Sequence, residues 1–347
     1  MGTTYPSPST RYDLIILGNG ISGLIAAIEA NKADMKICFV RLFRRRRSAH
    51  LLSLHPGCEG ILKELGLDLD ESLEDMSRPD GYLIKTGHST QFQPYSPNTE
   101  ETWHGFLLSQ ADLIEQLDRR LSEFDVSECL PKSIELLTDR QGRVRGACLD
   151  GLVIEADHLI DATGPRQILA RQKGLKKRFG SPRLIAELCV SHKDCRSQYA
   201  TFTAAQGEWT WQANTKMGPP HRVSLPLNGP IKSRRCPDMT YADVTWTHVP
   251  DCAGPGYSIV GDAALRIDPA AGNGFLRAAM MSAVAVKHHQ KQNRVQSYRD
   301  WVGHWARSDA TELSRRYASD DFKVEWAAKH SWSDEILTLG KSDPAPA

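Results

Sequence analysis

The chain has 347 residues, 40% hydrophobic and 24% charged, which excludes disordered and fibrous classes and supplies enough apolar side chains for one large or two medium cores. A formal net charge of +1 gives no global field for nucleic acid or an anionic membrane. No apolar run approaches the roughly eighteen residues of a membrane span.

The opening stretch "MGTTYPSPSTRYD" has no hydrophobic segment of the kind that is cleaved on export, so a cytoplasmic protein is expected. Its likeness to a myristoylation signal ends at Pro6. Cys38, Cys58, Cys129, Cys148, Cys189, Cys195, Cys236 and Cys252 form neither a Cys-x-x-Cys pair nor a zinc spacing with histidine. Buried thiols and no metal site are expected.

In chain order, "YDLIIL" (12–17) is an apolar strand that ends in Gly18-Asn19-Gly20-Ile21-Ser22-Gly23, and the helical pattern "LIAAIEANK" follows at once. With "KICFVRLF" next, strand, glycine turn, helix and strand make a βαβ nucleotide-binding unit. "PGCEGILKELG" reads as a short helix, "DLDESLEDMSRPDG" as an acidic loop, "GYLIKTGHSTQF" as a strand or hairpin, and "FLLSQADLIEQLDRRL" as a strand passing into an amphipathic helix. Residues 125–160 alternate short β runs around the turn "DRQGR", an antiparallel meander ending in "HLIDATG".

From Pro165 to Pro255 five β runs broken by proline and glycine ("RLIAELCV", "YATFTAA", "EWTWQAN", "HRVSLPL", "YADVTWTHV") predict a second, antiparallel sheet. "IVGDAALRIDPAAGNG" (259–274) returns to the first unit, and 275–329 is helical. The expected class is α/β: a Rossmann-like cofactor domain of 11–80, 104–164 and 256–290, a smaller antiparallel β-sheet substrate domain of 81–103 and 165–255, and C-terminal helices in 291–340.

Gly18, Gly20 and Gly23 let backbone N–H groups approach a pyrophosphate at a helix N-terminus. The acid that ordinarily ends the second strand and holds ribose hydroxyls is replaced by Arg41, or by Val40 one residue earlier. A guanidinium cannot accept those hydrogen bonds, so weak adenosine anchorage, or a different partner at that end, is expected. The run Arg44-Arg45-Arg46-Arg47 reads either as a clamp on phosphates or a protein, or as a solvated basic loop. Asp262 suits a ribitol chain, and Gly272, Asn273 and Gly274, opening a helix, suit the electron-rich end of an isoalloxazine ring. FAD satisfies both segments; NAD, lacking ribitol, leaves Asp262 idle.

The three motifs in this order, Gly18 to Gly23, Asp161-Ala162-Thr163-Gly164, and Gly261-Asp262 followed by Pro269, Gly272 and Gly274, resemble those of FAD-dependent monooxygenases of the p-hydroxybenzoate hydroxylase type, over residues 12 to about 290. The resemblance implies that Gly164, Gly261 and Pro269 also border FAD. Trp209-Thr210-Trp211 is similar to the Trp-x-Trp of flavin-dependent halogenases, although Ala213-Asn214 replaces the Ile-Pro that follows it there. Gln110 stands where many relatives carry a cofactor-contacting arginine. Lys85 is, by position, the candidate for the lysine a halogenase needs, and His55 a candidate for proton handling; Trp209 and Trp211 are placed beneath the flavin or along the substrate cleft, and Trp246 in the core.

A closer likeness is to flavoproteins that modify a tryptophan of another polypeptide during cysteine tryptophylquinone biogenesis in amine or amino-acid oxidases. It rests on the short chain, the run from "DVTWTHV" into the Gly-Asp motif, and "DPAAGNGFLRA". It implies monooxygenation of an indole, a precursor-protein partner, and an external reductant, NAD(P)H or a reductase, since no second Gly-x-Gly-x-x-Gly is present. Residues 166–255 carry fourteen Lys and Arg against six Asp and Glu, which suits either an acidic docking partner or plain solubility. A small-molecule aromatic hydroxylase or halogenase, and a non-catalytic flavin-fold scaffold, are the competing readings.

Overall fold

The structure, a computed structural model, describes residues 11–43, 50–67, 75–87, 89–97, 100–190, 197–229, 239–289, 295–329 and 332–336. The arginine run 44–47 and the first half of the acidic loop, 68–74, lie outside the described residues.

Strand β1 (Tyr12–Leu17), helix α1 (Ile21–Lys32) and β2 (Ile37–Val40) open the fold, followed by β3 (Leu51–Leu54) and α2 (Cys58–Glu64). The hairpin β4 (Gly81–Thr86) and β5 (Ser89–Pro94) precedes β6 (Phe106–Ser109), α3 (Gln110–Leu121) and β7 (Ser127–Cys129). β8 (Ile134–Thr138), β9 (Val144–Leu149) and β10 (Leu152–Asp161) lead to α4 (Ile168–Gln172) and β11 (Lys176–Phe179). Then come β12 (Ile185–Val190), β13 (Thr201–Ala205), β14 (Glu208–Ala213), β15 (His221–Pro226) and β16 (Met239–Asp243). β17 (Thr247–His248), β18 (Ala253–Gly254), β19 (Tyr257–Ile259), β20 (Leu265–Arg266), α5 (Gly274–His289), α6 (Val295–Ala318), α7 (Glu325–Ala328) and β21 (Ser333–Ile336) complete it.

The first sheet runs β18-β19-β10-β1-β2-β7, with β19, β10, β1, β2 and β7 parallel. Leu14 to Leu17 are fully buried, as expected of a central parallel strand covered on both faces. The meander β8-β9-β10 is antiparallel, as its turns predict. β7, included in that meander from sequence, instead pairs with β2 in parallel, because it follows helix α3 back across the sheet. α1 buries seven of its residues, from Gly23 to Ala30, since α5 packs on the side that the sheet leaves. α3 is capped by Ser109, whose Oγ accepts from Ala111 N (3.1 Å), and its last turn carries Arg119 and Arg120, favourable to the helix dipole.

The second sheet runs β16-β12-β15-β14-β13-β4-β5. It is antiparallel except between β4 and β13, where the early hairpin is added beside a strand more than a hundred residues later. One segment read as a single strand divides. At Asp243 the chain leaves this sheet, turning on the Thr245 N to Asp243 Oδ1 bond (2.9 Å), and β17 enters a small sheet β20-β17-β11-β21 that the sequence did not reveal. A contiguous apolar core joins β1 and α1 to Trp209 of β14 and Tyr317 of α6.

Candidate active site

Three remote segments meet at the C-terminal edge of the parallel sheet. Ala162 N donates to Leu17 O (2.8 Å) and Val260 N to Asp161 O (2.9 Å), aligning the three strand ends. A Cβ on Gly18 (φ +107°) would lie 2.4 Å from Ala162 O, one on Gly23 1.8 Å from Gly18 O, and one on Gly261 (φ +59°) 2.2 Å from Ser22 Oγ. Backbone packing therefore demands Gly18 and Gly23, whereas at Gly261 the Ser22 hydroxyl can turn aside and the positive φ is what calls for glycine. Gly20, Gly164, Gly272 and Gly274 are different: a Cβ on any of them meets nothing within 4 Å. There the backbone borders open space, which is where a pyrophosphate or a planar ring can press against N–H groups. α1 has no side-chain cap and no acid in its first turn, so its N-terminal donors are available to an anion. The Asp262 carboxylate is exposed between buried Gly261 and Ala263, with no partner among the described residues.

Two polar side chains shape this edge without facing the open space. Asn19 donates to Phe43 O (2.9 Å) and accepts from Leu42 N (3.0 Å), pinning the chain after β2 to the glycine turn. Asp161 is fully buried and accepts from Thr163 N and Leu169 N, each at 2.8 Å. Burial pushes its carboxyl up and those bonds draw it back, so the aspartate of the second motif organises the turn.

Arg41 stands at the expected position after β2, but its role is corrected by its surroundings. Nε donates to Glu128 Oε2 (2.7 Å), and Nη2 to Glu128 Oε1 (2.8 Å) and Asp118 Oδ1 (2.6 Å), while the guanidinium stacks over Phe39. Two carboxylates balance its charge, so the different partner at this end is protein. Beyond the ends of β2, β7 and β10 lies a cavity of about 640 Å³, lined by Leu42, Phe43, Leu130, Lys132, Arg166 and Ile168 among others. Apolar and polar groups share its wall, with Lys132 and Arg166 as two cations and no carboxylate among the lining residues.

At the other end, the turn from Asp268 to Gly274 is set by buried side chains. Asp268 accepts from Ala270 N (2.9 Å), Trp246 Nε1 (2.8 Å) and Tyr317 Oη (3.0 Å to both oxygens), and Tyr317 Oη accepts from Trp209 Nε1 (2.9 Å). Burial pushes the Asp268 carboxyl up to about 6, against these donors and Arg316, which lower it. Asn273 Nδ2 donates to Asp309 Oδ1 (3.1 Å), and Arg277, 4% exposed, pairs with the same Asp309. Sequence reasoning did not find Asp268, Asp309, Arg277 or Tyr317, since only the tertiary fold joins them.

Trp246 is in the core, as expected. Trp209, expected beneath the flavin or along the substrate cleft, does not line a cleft: it is 2% exposed, with its indole N–H on Tyr317. Trp211 is half-buried on the same face and packs with Tyr82 and Leu51 around Leu107, Ala200 and Ala213. Lys85 is corrected too. Ile84, Phe202 and Trp211 are in register across β4, β13 and β14, and Lys85 is aligned with Thr203 and Thr210, so alternation turns it to the opposite, outer face. His55 is exposed; its Nδ1 accepts from Gly57 N (3.2 Å) just before α2, which places the proton of the neutral ring on Nε2, and the ring meets Tyr95 edge-on. Gln110 opens α3, its N–H donating to His50 O (2.9 Å). Pro269 is exposed at the start of the turn.

No family model matches the sequence, and no curated protein matches it. Solved structures do. Flavin-dependent brominase Bmp2 is 18% identical and superposes with a TM-score of 0.72 over 92% of this chain and 90% of its own. BrvH, a flavin-dependent halogenase from Brevundimonas sp. BAL3, is 13% identical, with a TM-score of 0.74 over 94% and 82%. Peptidyl tryptophan dihydroxylase QhpG, essential for tryptophylquinone cofactor biogenesis, is 19% identical, with a TM-score of 0.65 over 88% and 74%. The chain has the fold of these flavin-dependent enzymes. That agrees with the three-motif resemblance and with the α/β class. Among the described residues no helix is long and apolar enough to cross a membrane.

Proposed function

We propose that the chain is an FAD-dependent monooxygenase that hydroxylates a tryptophan side chain of a precursor protein. Residues 11–80, 104–164 and 256–290 form its cofactor domain, and 81–103 with 165–255 its substrate domain. The observation that carries the flavin reading is the convergence of four open glycine backbones, Gly20, Gly164, Gly272 and Gly274, with the unpartnered Asp262 carboxylate. In this reading Gly18 to Gly23 hold the pyrophosphate, Asp262 the ribitol hydroxyls, and the N–H groups around Gly272 to Gly274 the polar edge of the ring. When bound, the flavin supplies activated oxygen to an electron-rich ring. The protein's own contribution is orientation and exclusion of water, with Trp211, Tyr82 and Leu51 as the apolar wall against which an indole lies. His55, an exposed residue whose Nδ1 accepts from Gly57 N, is the proposed proton carrier.

Two features favour a polypeptide substrate over the halogenase alternative. Lys85 lies on the face of the sheet away from Trp211. The substrate span is strongly basic, which suits an acidic protein surface. Reducing equivalents come from NAD(P)H or a reductase. The described cysteines are all free thiols, as in a reducing compartment such as the cytoplasm. The test is incubation with FAD, reductant and an acidic quinone-oxidase precursor, read by peptide mass spectrometry. Oxygen added to a precursor tryptophan supports the reading; chlorination or bromination of free tryptophan instead would replace it with the halogenase.

A further inference from the structure

The turn Asp268–Gly274 has little of its own to fix it. Its internal backbone bonds are Ala271 N to Asp268 O (3.2 Å) and Gly272 N to Pro269 O (3.0 Å), and Gly272 adopts φ +72°. Beyond the Asp268 side chain, which accepts from Ala270 N (2.9 Å), its conformation is defined from behind, by helix α6 and by Trp246. α6 hydrogen-bonds the turn through Asp309 and Tyr317, eight positions and so roughly 12 Å apart along the axis.

At the first, Asp309 receives Asn273 from the turn and Arg277 from the first turns of α5. At the second, Tyr317 donates to Asp268 while accepting the Trp209 indole from the substrate sheet, and Trp246 fills the remaining side of the same carboxylate. Asp268, Tyr317, Asp309 and Arg277 are all buried, so water cannot substitute for a lost partner.

We infer that Tyr317 and Asp309 are positioning residues: through Asp268 and Asn273 they hold the backbone of the turn Pro269–Gly274 in the one shape that can meet the flavin ring. Neither side chain touches the ring; each acts through a residue of the turn. This rests on the flavin reading above for what the turn faces, and on the hydrogen bonds alone for what holds it. The same tyrosine ties β14 of the substrate sheet to the turn, so the cofactor-facing and substrate-facing surfaces share one anchor.

The experiment uses the full chain with Tyr317→Phe, which deletes one hydroxyl, and Asn273→Ala, which leaves the Asp309–Arg277 pair intact. Amide hydrogen exchange of residues 268–274 is measured without flavin, and FAD is then titrated with flavin fluorescence and the visible spectrum as readouts. Expected are far-UV circular dichroism equal to the parent, exchange in 268–274 at least tenfold faster, FAD affinity at least tenfold weaker, and bound-flavin bands shifted toward those of free flavin. A folded Tyr317→Phe with parental exchange and spectrum overturns the inference; if that variant does not fold, Asn273→Ala decides by the same criterion. If the parent itself binds no FAD while exchange in both variants accelerates, the flavin reading fails and the positioning role stands.

Discussion

The two ends of the proposed cofactor site are built by opposite means. At the sheet edge, backbone does the work: strand ends aligned by main-chain hydrogen bonds, glycines in van der Waals contact, and an N-terminal helix turn without a cap. At the turn 268–274, side chains do it, through two buried carboxylates: Asp268, bonded from the segment before β17 and from α6, and Asp309 of α6, bonded by Asn273 of the turn. Backbone-built geometry follows from local sequence and survives changes elsewhere. Geometry built from side chains depends on distant residues and on protonation.

The largest expected effect falls on the backbone-built end. Gly23→Ala forces a Cβ against the Gly18 carbonyl, and since both belong to one turn there is no flexible side chain to give way. We expect a loss of about 4 kcal/mol or more, seen as a collapse of the denaturation midpoint, and with it loss of bound flavin. If Gly23→Ala melts like the parent, the close approach of α1 to the turn is not what fixes this edge.

Next is Asp262→Ala, which removes an exposed acceptor with no protein partner among the described residues. Stability should stay within about 0.5 kcal/mol. Charge-assisted hydrogen bonds are worth roughly 1.5–3 kcal/mol each, so FAD affinity should fall about a hundredfold and the purified protein should lose its yellow colour. Unchanged flavin content removes Asp262 from the site.

The turn end responds to pH. Asp268 is pushed up from 3.8 to about 6 by burial, so its contribution to stability is complete below 3.8 and is lost as pH rises through 6. His248, in the neighbouring strand β17, is pushed down from 6.5 to about 4 by burial and by Arg178 and Arg307; its contribution is complete above 6.5 and is lost as pH falls through 4. Each amounts to about 3 kcal/mol at 1.36 kcal/mol per unit, with opposite sign, so together they give a shallow profile between pH 4 and 6.5. His248→Gln should expose the Asp268 limb, with urea midpoints falling as pH rises from 4 to 6. A flat profile in that variant contradicts the balance.

The smallest effect is expected at Lys85→Ala, on the outer face of the second sheet: a change within about 0.5 kcal/mol and no loss of turnover. A hundredfold loss of turnover would return Lys85 to the active site.

This contrast also explains what the sequence disclosed. Gly18 to Gly23, Asp161 to Gly164 and Gly261 to Gly274 were legible because backbone demands leave glycine at fixed offsets, and α1, α3 and the hairpin β4–β5 because their periodicities are local. Asp268 and Tyr317 were illegible because a buried aspartate and a tyrosine separated by 49 positions look like any others until folding brings them together. Lys85 was misplaced for a related reason: a strand's pattern tells which residues share a face, but not which face is inside until neighbouring strands are known. β11, with the sequence "KKRF", has too few apolar residues to signal a strand, and it is held by β17 and β21 from afar.

The parallel pairing of β4 with β13 has a bearing on biogenesis. Leu83 and Ile84 find their neighbours Thr201 and Phe202 only after more than a hundred further residues have emerged from the ribosome. During that interval the hairpin 81–94 is a half-made sheet with an unmatched border, the kind of species that favours slow maturation and self-association. Slower translation or lower growth temperature should therefore raise the soluble yield, and a fragment ending before Thr201 should accumulate as aggregate.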